Sequence, residues 1–129
     1  MKSTKRRSLP TRRPSWTHHA HVGGQSVFFS IGEHLDGTPA EIFIDVAKAG
    51  SAMRAVLHVC AIFASLALRY GCPLRKIISA IKGLDFEPSG TVTGSANVKE
   101  AESILDYIAQ ELAATYPHLA GIDTRKWRE

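Results

Sequence analysis

The sequence predicts an α+β fold, with a small antiparallel sheet of about three strands followed by about three helices packed on one face of the sheet. Two observations support this prediction. Period-two alternation and turn residues dominate the chain up to residue 46, and helical spacing of apolar residues begins only after residue 50. A length of 129 residues with 44% hydrophobic residues suits one modest core.

The predicted strands lie between clusters of turn residues. The segment "THHAHV", the pair Gly23-Gly24 and the segment "SVFFSIG" predict a hairpin around a Gly-Gly turn. A third strand follows the turn residues at 36–39, because apolar and polar residues alternate there. Its core face is predicted to carry Ile42, Ile44 and Val46, and its other face Glu41, Phe43 and Asp45.

Three helical patterns occupy the second half. Ser51 is a predicted cap for the first helix, which is apolar on every face over residues 55–68. Such a helix is predicted to be buried on several sides, with a subunit interface supplying part of the cover. The second, "PLRKIISAIKG", opens at a proline and ends at Gly83. A loop of about fourteen residues precedes the third helix, where Asn97 and Glu100 resemble a capping box.

Charge divides the chain into a basic start and a mildly acidic remainder. The net charge is +4, yet all the charged residues before Pro14 are basic. Residues 1–16 are therefore predicted to be a flexible arm that orders only on a partner, residues 17–116 the α+β domain, and residues 117–129 a tail. Lys and Arg release counterions on phosphate binding, so the arm suits nonspecific nucleic-acid binding; a solvated tail is the alternative.

The cysteines and the apolar segments bear on the compartment. Cys60 and Cys72 form no CxxC and are too few for a disulfide framework, which favours the cytoplasm. The basic N-terminus lacks the apolar segment of a secretory signal, and residues 55–68 are too short to span a bilayer, so no membrane association is expected. We predict no catalytic residue, no metal ion and no cofactor.

Several motifs nominate ligand-binding residues without specifying a ligand. Two histidines share one face of the first strand, but a metal site needs three or four ligands. The acids of the third strand share a face that a solvated sheet would also explain. The Gly-rich loop before the last helix suits an anion, although an ordinary turn is the more common explanation of such a composition. The candidate ligand-binding residues are Arg12, Arg13, His19, His21, Glu41, Phe86, Glu87, Ser89, Gly90 and Thr91.

Several segments occur together in an order that resembles a known module. They are "RRSLPTRRPSWTHHAHVGG", "DGTPAEIFIDVAKAGS", "SLALRYGCPL", "FEPSG" and "ESILDYIAQEL". Over residues 6–113 the chain resembles the C-terminal region of adenosylcobalamin-dependent (class II) ribonucleotide reductases, the TSCPD domain. The resemblance implies an α+β module. It does not bring the reductase chemistry, because the catalytic barrel and its cysteines have no counterpart here, and "GSANV" stands where smaller relatives carry Thr-Ser-Cys-Pro-Asp.

The resemblance predicts a noncatalytic, stand-alone module that binds a nucleotide or a protein partner. One alternative is a subunit that completes a split adenosylcobalamin-dependent ribonucleoside-diphosphate reductase in trans. Another is a protein that sequesters a nucleotide or inhibits an enzyme. The expected partners are a nucleotide or phosphate ligand, a reductase subunit and further copies of the chain in a homo-oligomer.

Overall fold

The protein has an α+β fold, as the sequence predicts. The computed structural model describes residues 6–9 and 11–121, and within them the chain forms five strands and three helices. In chain order these are β1 (Ser15–Val22), β2 (Gln25–Glu33), β3 (Pro39–Asp45), α1 (Ser51–Arg69), α2 (Leu74–Ile81), β4 (Gly90–Thr93), β5 (Glu100–Ala101) and α3 (Ile104–Thr115).

The strands form a sheet in the order β3-β2-β1-β4-β5, with antiparallel pairing. Two strands more than predicted are present, because β4 lies in the stretch predicted as a loop and β5 lies where the third helix was predicted to begin. With four and two residues, they are too short to show an alternating pattern. Pairing with β1 and with each other therefore defines them.

The residues fall into two compact units. The first comprises the chain up to His18 together with Phe28–Cys72, and the second comprises His19–Val27 together with the chain from Pro73 onward. Strands β1 and β2 thus contribute residues to both.

In the first unit, α1 packs against β3. The predicted faces of β3 are confirmed, because Ile42 and Val46 are buried while Phe43 is exposed. Ser65 of α1 bonds to both backbone groups of Ile42, accepting from its N–H at 2.8 Å and donating to its carbonyl at 3.0 Å. The helix thereby occupies backbone groups of an edge strand, which would otherwise be open to pairing with another chain.

The prediction that α1 is buried on several sides is wrong for the single chain. Only Leu57, Ala61 and Leu68 are buried, so one stripe of the helix faces the core. The opposite stripe, which includes Val56 and Phe63, is apolar and exposed. A core-facing stripe and an apolar exposed stripe look the same in the sequence, because hydrophobicity alone does not show which side meets β3.

By length and composition, the 19-residue helix α1 could cross a membrane. The apolar segment at residues 55–68, which was predicted to be too short for a bilayer, is only part of this helix, because α1 extends beyond it at both ends. Helices in the core of soluble proteins pass the same test, and α1 is bonded to β3 through Ser65. The length of α1 is therefore weak evidence for a span.

Part of the predicted arm forms hydrogen bonds with other segments of the first unit. The N–H of Arg7 donates to the carbonyl of Arg69 at 3.0 Å, and the N–H of Glu33 donates to the carbonyl of Pro14 at 2.8 Å. Arg7 also forms an exposed ion pair with Asp36 at 3.6 Å. The arm thus forms these bonds within the chain itself, which the prediction that it orders only on a partner did not include.

The second unit contains the hairpin turn, β4, β5, α2 and α3. Gly23 and Gly24 connect β1 to β2 with φ of 55° and 87°, which confirms the predicted Gly-Gly hairpin. A Cβ at position 23 would overlap the carbonyl oxygen of Ser89, so only glycine fits there. Helices α2 and α3 pack together. The buried residues of this core include Ile77, Ile78, Val92, Val98, Ile104, Tyr107, Ile108 and Leu112.

Two buried carboxylates tie α3 to the surrounding chain. Asp106 accepts from the N–H groups of Gly83 at 2.8 Å and Glu102 at 2.9 Å. Glu111 accepts from the hydroxyls of Ser95 and Tyr107, both at 2.9 Å. Burial and the bond to Glu111 raise the pKa of Tyr107, which keeps its phenol a hydrogen-bond donor.

The helix starts differ from the predicted caps. Gly50, and not Ser51, occupies the cap position of α1, and no side chain caps that helix. Ser103 caps α3 by accepting from the N–H of Asp106 at 3.0 Å. Asn97 was predicted to do so, but its N–H donates to Ser95 Oγ and its side chain to Glu111. Residues 100 and 101 pair as β5, which delays the helix.

Candidate functional site

The first unit contains a cavity of about 400 Å³ beside strands β2 and β3. That volume is in the range of small-molecule sites. Three of the candidate residues from the sequence meet here. The lining consists of Thr11, Arg12, Arg13, Ser15, Ser30, Gly32, Glu41 and Phe43. We call this the arginine cavity.

Strand register creates the floor of the arginine cavity. Ser30 is opposite Phe43, and Gly32 is opposite Glu41, across β2 and β3. Because side chains alternate along a strand, these four residues share one face of the sheet, and the buried Ile31 and Ile42 face the other way. Each large side chain is thus opposite a small residue, which leaves room for the cavity.

An ion pair forms one wall. Arg13 donates to Glu41 Oε2 from Nε at 2.6 Å and from Nη2 at 2.5 Å. Both side chains are largely shielded from solvent, with 29% and 12% exposed. Gly32 makes this possible, since a Cβ there would lie 2.7 Å from Glu41 Cγ. The Glu41 carboxylate therefore compensates the charge of Arg13 and holds its guanidinium in place.

Arg12 and Phe43 are the exposed groups at the cavity. Arg12 forms no salt bridge with the part of the chain that the structure describes. A guanidinium in this state is suited to a phosphate, which it can bind with two parallel hydrogen bonds. The Phe43 side chain is 54% exposed on the sheet, where it can stack on a planar ring.

The two histidines lie elsewhere, on β1 in the second unit. The rings of His19 and His21 are 5.2 Å apart at a tilt of 49°, and both residues are exposed. His19 Nε2 and Ser26 Oγ are 2.9 Å apart, within hydrogen-bonding distance. No group of three or more metal-ligating side chains occurs among residues 6–9 and 11–121. Among these residues the pair supplies two ligands, whereas a typical metal site has three or four from the protein.

The remaining candidates follow α2, also in the second unit. The N–H of Phe86 donates to the carbonyl of Glu102 at 3.0 Å, and Gly90 and Thr91 belong to β4. Ser89 and Gly90 line a second cavity of about 640 Å³, whereas Phe86, Glu87 and Thr91 do not. The lining consists of Lys82, Gly83, Asp85, Ser89, Gly90, Glu100, Ala101, Glu102, Asp106 and Gln110.

The second cavity is poorly suited to an anion. Four carboxylates and only one lysine line it, so a phosphate would be repelled. The predicted anion position at the start of α3 is also occupied, because Ser103 Oγ accepts an N–H there and Asp106 lies in the first turn. The electrostatics therefore favour the arginine cavity as the anion site.

Sequence reasoning did not select Thr11, Ser15, Ser30, Gly32 and Phe43. The alternation along the third strand placed Phe43 on the same face as Glu41, so Phe43 could have been selected from the sequence together with Glu41. The other four carry no pattern of their own. Ser30 and Gly32 depend on which residue of β2 is opposite which residue of β3, and Thr11 and Ser15 depend on where the N-terminal segment meets those strands.

Comparison with known proteins identifies the family. The family model of the TSCPD domain matches residues 2–116. The chain is 46% identical over 125 residues to the vitamin B12-dependent ribonucleotide reductase of Agrobacterium fabrum, covering 95% of the chain and 10% of the reductase. It is 45% identical over 111 residues to the reductase of the same name from Bradyrhizobium diazoefficiens, covering 86% of the chain and 9% of that reductase.

The similarity extends to a relative of lower sequence identity. The vitamin B12-dependent ribonucleotide reductase of Rhodopirellula baltica is 35% identical over 112 residues, covering 87% of the chain and 11% of that protein. The chain thus spans about a tenth of the length of these relatives. No solved structure matches it. The match over nearly the whole chain shows that it belongs to the TSCPD domain family and is related to vitamin B12-dependent ribonucleotide reductases.

Proposed function

We propose that this TSCPD domain is a binding module for a phosphate-bearing nucleotide and that the arginine cavity is its site. One observation carries the proposal. Arg12, the Arg13–Glu41 pair and Phe43 meet at one cavity, although the arm and β3 contribute them separately. A cation can bind the phosphate of a nucleotide, and an exposed aromatic ring beside it can stack on the base.

Each group has a distinct role in the proposed complex. Arg13 is already paired with Glu41, so Arg12 supplies the positive charge for the phosphate. Phe43 stacks on the base. The hydroxyls of Ser15 and Ser30 line the space between them, where they can bind the sugar.

The relatives support the class of ligand. They are named as ribonucleotide reductases, and a module related to such proteins has access to nucleotides. The chain spans only about a tenth of them, so the proposal concerns binding and leaves the reductase reaction to the longer proteins.

Isothermal titration calorimetry with ADP, ATP, dATP and adenosine tests the proposal. A nucleotide should bind and adenosine should not, because the phosphate supplies the charge interaction. Arg12→Ala should weaken binding by about 10- to 100-fold, as expected for a lost charged hydrogen bond of about 1.5–3 kcal/mol. Phe43→Ala should weaken it by about 5- to 100-fold through lost stacking of about 1–3 kcal/mol.

Arg75→Ala is the matched control, since Arg75 is also an exposed arginine but belongs to α2 and does not line the arginine cavity. It should leave the affinity unchanged. No heat with any nucleotide, in a protein shown by circular dichroism to be folded, would reject the proposal. Equal losses in Arg12→Ala and Arg75→Ala would show a general charge effect instead of a site. If a single-stranded oligonucleotide bound more tightly than any mononucleotide, the ligand of this site would be nucleic acid and not a free nucleotide.

A second candidate function is action in trans with a vitamin B12-dependent ribonucleotide reductase. Its support is the 46% identity to part of such an enzyme. Reductase activity should then rise when this chain is added to a reductase from which the matching segment has been deleted. Unchanged activity, with both proteins folded, would count against this candidate and leave the nucleotide proposal untouched.

A further inference from the structure

The exposed apolar side of α1 follows a heptad pattern. Its members are spaced alternately four and three residues apart, which is the spacing of a helix surface that packs against another helix. All six are exposed, from 39% for Leu66 to 65% for Phe63 among the large ones. They are Ala52, Val56, Val59, Phe63, Leu66 and Tyr70, and we call them the α1 seam.

None of the six side chains of the α1 seam is charged, and the charged residues of α1 are limited to Arg54 near one end and Arg69 at the other. No Asp, Glu, Lys or Arg lies between Arg54 and Arg69. A facing surface with charged groups would leave them desolvated and unpaired, which is costly. A second copy of the same seam is uncharged too, so its burial leaves no unpaired charge.

We propose that the α1 seams of two copies pack antiparallel in a symmetric dimer. One register satisfies every position of the seam. With the two-fold axis passing beside residue 61, Val59 of one copy faces Phe63 of the second copy, and Val56 faces Leu66. The last pair, Ala52 and Tyr70, completes the seam.

This register matches small residues with large ones. Each pair combines a smaller side chain with a larger one, which is the arrangement that lets two layers interdigitate without voids. It also follows the antiparallel rule that an a position of one helix faces a d position of the other. A parallel pair would instead place Phe63 against Phe63 and Ala52 against Ala52, leaving a crowded centre and a gap at the end.

The available area fits a reversible dimer. A fully exposed aromatic side chain offers roughly 150–250 Å² of surface, and Val and Leu offer less. The partly exposed side chains of the α1 seam together therefore present on the order of 500 Å² per copy. Two copies would bury about 1,000 Å², near the lower limit of specific interfaces. Both the uncharged surface and the area therefore favour a second copy as the occupant, with an association that depends on concentration.

Analytical ultracentrifugation over about 5–500 µM chain tests the proposal. The wild-type chain should pass from monomer to dimer over this range. Val59→Glu alone and Phe63→Lys alone should each remain monomeric, because each places a charge in the seam. An equimolar mixture of the two should recover dimers. In the mixed dimer the introduced glutamate of one variant faces the introduced lysine of the other, while the remaining Val59 and Phe63 form the original contact.

Leu35→Glu is the matched control, because Leu35 is 78% exposed and lies outside α1. It should dimerise like the wild type. Circular dichroism confirms that each variant is folded. A wild-type monomer at every concentration, or two single variants that dimerise normally, would overturn the proposal. So would a mixture of the variants that stays monomeric.

An uncharged helix face can also bind a lipid surface, and sedimentation with phosphatidylcholine vesicles distinguishes that occupant from a second copy of the chain. The wild-type chain should stay in the supernatant as a dimer. A chain that does not self-associate but sediments with vesicles, and loses this on Phe63→Lys, would overturn the dimer in favour of a lipid surface.

Discussion

Gly32 and Glu41 are opposite each other in β2 and β3, and a Cβ on residue 32 would lie 2.6 Å from Glu41 Oε2. The bare backbone at Gly32 gives the Glu41 side chain the space in which it reaches Arg13 at 2.6 Å. A glycine inside a strand usually weakens it, and such glycines often mark a close approach. Here the close approach is that of a carboxylate, and it shapes the arginine cavity.

Gly32→Ala should therefore displace Glu41 and lower the free energy of unfolding by about 1–3 kcal/mol, as overpacking does. The measurement is urea unfolding of four proteins: wild type, Gly32→Ala, Glu41→Ala and the double variant. The alanine at 32 should be much better tolerated when Glu41 is already truncated. An equal cost in both backgrounds would mean that the Glu41 contact is not the cause.

Ser65→Ala should leave the N–H and carbonyl of Ile42 without their side-chain partner. A loss of about 1–3 kcal/mol is expected, because these groups lie in a partly buried place. Thermal unfolding measures it, with Ser51→Ala as a control at an exposed serine of the same helix. If both variants lost the same stability, the bond to β3 would contribute little.

Asp106→Ala should be among the more destabilising single changes in the second unit. It removes the acceptor of two backbone N–H groups, those of Gly83 and Glu102, and each unpaired group costs about 1–3 kcal/mol. Asp106→Asn keeps one oxygen acceptor and should lose less. Urea unfolding compares them with Glu102→Ala, an exposed control expected within about 0.5 kcal/mol of wild type. Equal losses for the Ala and Asn variants would point to the charge and not to the number of acceptors.

His34 should make the protein less stable in mild acid. Burial first, and then the positive charge of Arg7, lower its pKa below the ordinary 6.5, while nearby Asp36 acts in the opposite direction. The unfolded chain therefore binds more protons just below pH 6.5, so stability falls as the pH drops through that range. Melting temperatures between about pH 7.5 and about pH 5.5 should fall less in His34→Gln than in wild type. His118→Gln, at an exposed histidine, should behave like wild type; a wild-type response in His34→Gln would assign the pH dependence to other groups.

Local patterns in the sequence were sufficient for much of the fold. The Gly23-Gly24 pair predicted the hairpin, and alternation around Ile42 predicted the faces of β3, because side-chain direction in a strand depends only on parity. Gly83 has φ of 80° just after α2, so the predicted end of that helix is also confirmed.

The site was only partly predictable. The sequence selected Arg12, Arg13 and Glu41, which line one cavity, but also residues 19, 21, 86, 87 and 89–91, which belong to the second unit. Charge and residue type identified the first group. Nothing local indicated that Ser30 would face Phe43, since that depends on a register between two strands.

The sequence by itself determined the α+β class, the hairpin, the faces of β3 and the family, because each rests on residue type and spacing along the chain. The tertiary structure decided what spacing does not encode: the pairing of β4 with β5, the start of α3 at Ile104 and the side of α1 that meets β3. These depend on contacts between distant segments. An apolar residue is marked in the sequence as one to be buried, but only packing decides which partner buries it, and the described residues of the chain leave Phe63 65% exposed.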